Sequence, residues 1–432
     1  MDGIDTPSKK AAQEDNETGV VDIAAKTGNL VLQIEHTTGF PIATIHSFRV
    51  DTTALRAKSK YFERLLESGR FGEGYQIAIQ HDALKQKFQE LSLAPTEELP
   101  VIRIEDIGRI SAVKSIRPLL TDFLLILHDK DTQATPPVSN LANLAIVADR
   151  FDALEAVRTH IRRKKLIKAL DAKTQPKQDA GLAEERVRQR LLVALMLDYP
   201  PWVDKYSTRL IAKGWVGQEA ELEDPLWWDL PHRMEEELVL RRDSILATIQ
   251  SMQAHFLALY ASRARQCRLG YDTSPECDSF QFGEMVRFFL RAGTLRLENT
   301  IIPEESSTSP ASTPTPATHP PLPCDGDIPL LLDRLKQIPE YQVDRNHSHC
   351  GIRTRLVPFA DLIAAAALQA GVCGECWAED RYAHSWLAAK RPLKWRREAD
   401  GVVLRGGGGV GEHARRHASV REFFLAGERD WS

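Results

Sequence analysis

Residues 303–323, PEESSTSPASTPTPATHPPLP, carry seven prolines and eight serines or threonines in 21 positions. Proline lacks a backbone donor and fixes φ, so such a run builds neither a helix interior nor a sheet interior. Its small polar side chains offer too little apolar surface to offset the entropy of ordering. The stretch predicts a linker, and with it a chain that folds as separate blocks on either side. A length of 432 residues with 43% hydrophobic content leaves room for two or three such blocks.

Upstream of the linker, residues 1–28 are small and polar without periodicity, which predicts disorder. From 29 to 168 the patterns are mixed. LVLQIE and IATIHSFRV are β-rich runs around HTTGFP and predict a hairpin with a longer loop. VDTTALRAKSKYFERLL then places Leu55, Phe62, Leu65 and Leu66 on one helical face. A polar, partly helical insertion precedes VIRIEDI, which alternates like a strand. Leu120, Phe123, Leu124 and Leu127, then Leu141, Leu144, Ala145 and Ala148, mark two further helices. Asp152 with Glu155 predicts a capping box opening a third. Residues 181–302 form a further block, in which 181–300 are predicted almost entirely helical. There Leu238, Ile245, Ile249, Met252, Phe256 and Leu259 form an a/d seam, readable as a core helix or as an intermolecular coiled coil. The tryptophans at 202, 215, 227 and 228 sit at Pro-rich joints and predict packing anchors. After the linker come a small module, 324–400, and a Gly-rich basic tail, 401–432.

The order of these elements, and the block FRVDTTALRAKSKYFERLL in particular, resembles BTB/POZ domains, in which a strand enters a helix that continues to Ser-x-Tyr-Phe. NLVLQI, VIRIEDI, DFLLILHDKD and LANLAIVADRFDALEAVRTHI resemble further elements of that family, so the likeness spans residues 29–168. LLVALMLDYPPWV and CDSFQFGEMVRFFLRAGTL resemble regions found beyond the BTB domain in proteins of filamentous fungi. The chain departs from the family where it has Asn29, usually acidic, and Asp51-Thr52, usually His-Lys or His-Arg. The resemblance implies an α+β, BTB/POZ-like domain in which Tyr61 and Phe62 plug the helix into the core and Ser59 meets the backbone. It also implies an interaction module, commonly a homodimer and often a substrate adaptor for a cullin-type ubiquitin ligase.

The sharpest chemical pattern lies beyond the linker. His347-x2-Cys350 and Cys373-x2-Cys376 are two ligand pairs separated by 22 residues, a spacing that predicts one structural zinc ion. An extended GIRTRLV running outward and a helix over PFADLIAAAALQA returning would bring the pairs together. His349, Cys324 or His384 are alternatives to His347 as fourth ligand. Cys267 and Cys277 read either as a second ligand pair or as buried thiols. CGEC lacks the βαβ context of a redox pair, and RGGGGVGEH lacks the ending of a phosphate loop.

No Ser/His/Asp order, paired-carboxylate motif or HExxH stands out, so the expectation is a non-enzymatic scaffold. Net charge is −4, yet residues 381–421 hold ten Lys/Arg against three Asp/Glu. That basic stretch, with KRPLKWRRE at its centre, supports an alternative: a nuclear regulator holding nucleic acid through the metal module and tail. No apolar run reaches the ~18 residues of a membrane span. The polar N-terminus lacks a secretory pattern, which predicts an intracellular protein with reduced thiols.

Overall fold

The structure, a computed structural model, describes residues 19–36, 44–69, 71–113, 115–132, 136–221, 223–269, 274–295, 326–396 and 413–431. It is mixed α+β and mostly helical, with a small sheet. Two compact units divide it, residues 1–175 and 176–432. The linker at 303–323 and the glycine run at 405–412 lie outside the described residues.

In the first unit, β1 (Val21–Asp22), β2 (Leu30–His36), β3 (Thr44–Val50) and β4 (Val101–Ile104) form one sheet in the order β1-β3-β2-β4. β2 and β3 pair antiparallel, as the hairpin pattern required, with Leu32 opposite Phe48; β4 runs parallel to β2. Strand alternation puts Leu30, Leu32, Ile34, Phe48 and Val50 on the main core face. The other face is covered by the insertion, α3 (Gly72–Lys87) and two short 3₁₀ turns, through Val31, Leu84, Ala94 and Leu99. Arg49, on that same face, pins the insertion by donating to Ser92 O at 2.7 Å and Ala94 O at 3.2 Å.

The helix after β3 is two helices, α1 (Thr52–Lys58) and α2 (Lys60–Leu65), and Ser59 is the joint. Its extended backbone ends α1, its hydroxyl accepts from Phe62 N–H at 3.1 Å, and the same hydroxyl donates to Phe151 O at 2.6 Å. One small polar side chain thereby caps a helix and satisfies a distant carbonyl. Phe62 is fully buried and stacks on Phe151 at 5.2 Å, while Tyr61, half-buried, meets the same ring edge-on. Full burial of a ring like Phe62 is worth about 1.5–3 kcal/mol. Asn29 and Thr52 bond each other twice, at 3.0 Å: the Asn29 amide donates to the Thr52 hydroxyl and accepts from Thr52 N–H. α4 (Ile116–Leu127), α5 (Val138–Arg150), α6 (Leu154–Lys164) and α7 (Leu166–Lys173) complete the unit.

Two expectations fail here. Residues 19–28 are ordered: Ile23 and Ala24 are buried and donate to Arg49 O, and β1 pairs with β3. The apolar cluster VVDIAA is too short for periodicity but long enough to cover a sheet edge. The capping box does not form either. Asp152 sits at φ 48°, in the turn that closes α5, and α6 starts at Leu154 with no side-chain cap.

The second unit contains α8 (Pro176–Ala180), α9 (Glu184–Met196), α10 (Pro200–Lys213), α11 (Met234–Ala261), α12 (Ser274–Ala292), α13 (Ile328–Lys336), α14 (Arg353–Ala367), α15 (Gly374–Glu379), α16 (Arg381–His384) and α17 (His413–Leu425). A two-stranded parallel pair, β5 (Lys394–Trp395) with β6 (Glu428–Arg429), closes it. The a/d seam is the spine of this core: α11 packs against α10, α12, α14 and α17, and Leu238, Ile245, Ile249, Met252 and Phe256 are buried there. The described parts of 181–302 and 324–400, expected as separate blocks, therefore share one core. The expected tail joins it too, since Val420, Phe423, Phe424 and Trp431 are buried. Among the described residues no helix is long and apolar enough to cross a membrane.

Candidate metal centres

α14 begins at Arg353, five residues before Pro358, where the sequence placed its start. Ile352, Leu356, Phe359 and Ile363 are all buried at helical spacing, so their packing carries the helix upstream through the proline. No extended segment runs outward. A helix of 15 residues instead spans about 22 Å at ~1.5 Å per residue, with Cys350 before its start and Cys373 beyond its end. The four residues predicted as one set, His347, Cys350, Cys373 and Cys376, accordingly fall at two places.

At one end, Cys373, Cys376, His413 and His417 bring four ligand atoms within 4.8 Å of one another. Cys373 caps the short α15 and Cys376 lies in its first turn. His413 and His417 are i and i+4 on α17, so both imidazoles leave the same face. His413 Nε2 lies 3.4 Å from Cys373 Sγ and 3.2 Å from Cys376 Sγ. A tetrahedral ion with ~2.3 Å sulfur and ~2.0 Å nitrogen bonds asks for about 3.5 Å there. His417 Nε2 is buried without a hydrogen-bond partner, a state that native structures seldom tolerate and a metal would satisfy.

The knuckle is held from below. Glu237 and Arg241, buried on α11, form an ion pair at 2.7 Å. Arg241 donates to Gly371 O at 2.6 Å and Ala370 O at 3.1 Å and lies over the Trp386 ring at 4.7 Å. Glu237 accepts from Ser385 Oγ at 2.6 Å and Trp386 N–H at 2.8 Å. Burial alone would raise the Glu237 pKa, but Arg241 and these donors hold it below the ordinary value. Gly371 and Gly374 let the chain approach α10. A Cβ at Gly374 would stand 2.4 Å from Pro200 Cα and 2.6 Å from its carbonyl oxygen.

The other end carries Cys267, Cys277 and Cys350, all buried, again within 4.8 Å of one another. Cys267 Sγ and Cys350 Sγ are 3.8 Å apart, and none of the five described cysteines is in a disulfide. Burial, with Cys267 and Cys350 beside it, pushes the Cys277 thiol up to about 12. Burial and the Cys373 thiol do the same to Cys376, also about 12, while burial with His413 nearby pulls His417 down to about 4. Cys277, Cys376 and His417 therefore stay uncharged on their own at neutral pH. A bound divalent cation reverses this for the thiols, since coordination deprotonates them outright.

Comparison of the chain with protein-family models, with curated proteins and with solved structures finds no match.

His349 is exposed at φ 72° and His384 half-buried outside both clusters, while Cys324 lies outside the described residues. Sequence reasoning missed His413 and His417, although Cys-x2-Cys followed by His-x3-His was present. The glycine run between them disguised the second pair as tail. Trp395, within the basic KRPLKWRRE stretch, is buried against Phe423 at 4.7 Å. The RRKK run ends α6 as an exposed turn, with Lys165 left-handed.

Proposed function

We propose that this chain is an intracellular, non-enzymatic interaction scaffold, with a BTB/POZ-type first unit and a metal-stapled helical second unit. The observation that carries this reading is an unpartnered apolar edge on the first unit. Phe71, Tyr75 and Ile79 recur every four residues at the start and along one side of α3, and are 49%, 57% and 48% exposed. Val101, 51% exposed, lies on the edge strand β4, where it lines a groove with Glu73, Gln76, Ile77 and Gln80 of α3. Large apolar side chains exposed along one side of a helix, with another on an edge strand, are costly to leave in water and suit a polypeptide partner. The resemblance of the sequence around Ser59, Tyr61 and Phe62 to BTB/POZ domains supports the same reading. A second copy of the chain is the first partner this reading assigns, and a cullin-type ubiquitin ligase the second.

In the second unit, the Cys373, Cys376, His413 and His417 set takes one zinc ion. Four protein donors leave no open position for water, so the ion's part is structural: it ties α15 to α17 and both to the Glu237–Arg241 pair. Nucleic-acid binding through residues 381–421 draws less support, because the aromatic that would stack on a base, Trp395, is spent on the core.

The test is sedimentation of the full chain. It should run at twice 48.5 kDa, and Tyr75→Glu with Ile79→Asp should return it to the monomer. A wild-type chain that stays monomeric across micromolar concentrations contradicts the dimer. Failure to co-precipitate a cullin contradicts the adaptor role alone.

A further inference from the structure

The three-cysteine cluster has a fourth neighbour that its thiol count conceals. His347 is 3% exposed, and its Nε2 is buried with no hydrogen-bond partner. Its other ring nitrogen, Nδ1, is fixed by Asp344 Oδ1 at 2.9 Å. His347 and Cys350 belong to one tight turn, in which Cys350 N–H donates to His347 O at 3.2 Å. The Asp344 hydrogen bond, and to a lesser degree the Cys267 thiol, raise the pKa of this imidazole, which stands beside the set that the three thiols form within 4.8 Å and is not one of its members. A histidine bonded through one nitrogen to a carboxylate, with the other bare and buried beside cysteines, has the arrangement of a metal-ligating imidazole and its orienting partner.

We infer that Cys267, Cys277, Cys350 and His347 form a second metal centre, of three thiolates and one imidazole, taking a soft divalent ion of the zinc class. The 3.8 Å between Cys267 Sγ and Cys350 Sγ equals the edge of a tetrahedron with ~2.3 Å metal–sulfur bonds, about 3.8 Å, and is far beyond a disulfide. Thiolate-rich sets favour zinc over the harder magnesium and calcium. The cradle is rigid from three sides. Gln281, buried on α12, donates to Tyr341 O at 2.6 Å and accepts from Ile352 N–H at 3.3 Å. Tyr260 at the end of α11 donates to Cys350 O at 3.4 Å. Arg355 on α14 donates to Gln266 Oε1 at 2.7 Å, beside Cys267.

The position gives the ion a purpose. Cys267 and Cys277 precede the Pro/Ser/Thr-rich run at 303–323, whereas His347 and Cys350 follow it. The ion therefore cross-links the two stretches of chain that the linker separates, and holds the start of α14 onto the α11–α12 turn. This centre is independent of the one at Cys373 and of the dimer reading.

The test uses the full chain carrying Cys373→Ser and Cys376→Ser, purified without chelator. Native mass spectrometry should find one zinc per chain. Cobalt exchange should give a thiolate-to-metal charge-transfer band with the intensity of three thiolates. Adding His347→Ala should weaken zinc binding by at least tenfold. Absence of metal from this variant, or a Cys267–Cys350 disulfide in its non-reducing peptide map, overturns the inference. Should the variant fail to fold, the wild-type cobalt spectrum decides. Five thiolates per chain support both centres, three support this one and remove the other, and two or none overturn it.

Discussion

Replacing Arg241 by Met tests whether the buried ion pair positions the cysteine knuckle. The substitution keeps most of the side-chain volume but strands the Glu237 carboxylate at 0% exposure. It also strips the carbonyls of Ala370 and Gly371 of their guanidinium donor. Removing one partner of a buried pair costs about 3–5 kcal/mol, because the other is left uncompensated. For a unit of this size, each kcal/mol lowers the midpoint by roughly 2–4 °C, so a fall of roughly 6–20 °C is expected. The assay is selective. All eight tryptophans lie between residues 202 and 431, so their emission follows the second unit alone. Adding Glu237→Gln removes the stranded charge, and the double variant should be no less stable than Arg241→Met, with non-additivity of at least about 1 kcal/mol. A shift under ~2 °C, or strictly additive losses, would refute the reasoning.

Ser59→Ala removes both the cap of α2 and the donor to Phe151 O. It should cost about 1–2 kcal/mol, seen in far-ultraviolet circular dichroism as earlier melting of the first unit with tryptophan emission unchanged. His128 gives the first unit an acid limit. It accepts from Asp51 N–H at 3.0 Å, and burial holds its pKa below 6.5. Below pH 6.5 the unfolded chain binds the extra proton, so this stabilisation is present above that pH and is lost as pH falls through the folded value. His128→Gln should flatten that slope in denaturant titrations, and an unchanged slope would place the proton elsewhere. Gly374→Ala forces a Cβ into the Pro200 backbone and should cost about 1–3 kcal/mol. Metal analysis should show loss at the Cys373 cluster and retention at the Cys267 cluster.

What was legible in the sequence was local. The hairpin, the strand at Val101, the α11 seam and the Ser59–Phe62 block are set by alternation, helical spacing and one small polar residue, all within a few residues of one another. The failures are of two kinds. Short apolar runs such as VVDIAA carry no period, and only their pairing with β3 makes them a strand. The metal ligands are long-range: Cys350 and Cys373 are consecutive cysteines along the chain but lie beyond opposite ends of α14. Their true companions are Cys267 and Cys277 for one and the histidines of α17 for the other. Pro358 misdirected the helix start because four buried side chains outweigh one missing amide.

Anomalous scattering from crystals, recorded on either side of the zinc absorption edge, tests the central claim of a second unit stapled at two points. Two peaks per chain are predicted, one among Cys373, Cys376, His413 and His417 and one among Cys267, Cys277, Cys350 and His347. A single peak shared by Cys350 and Cys373, or no peak at either cluster, would contradict it.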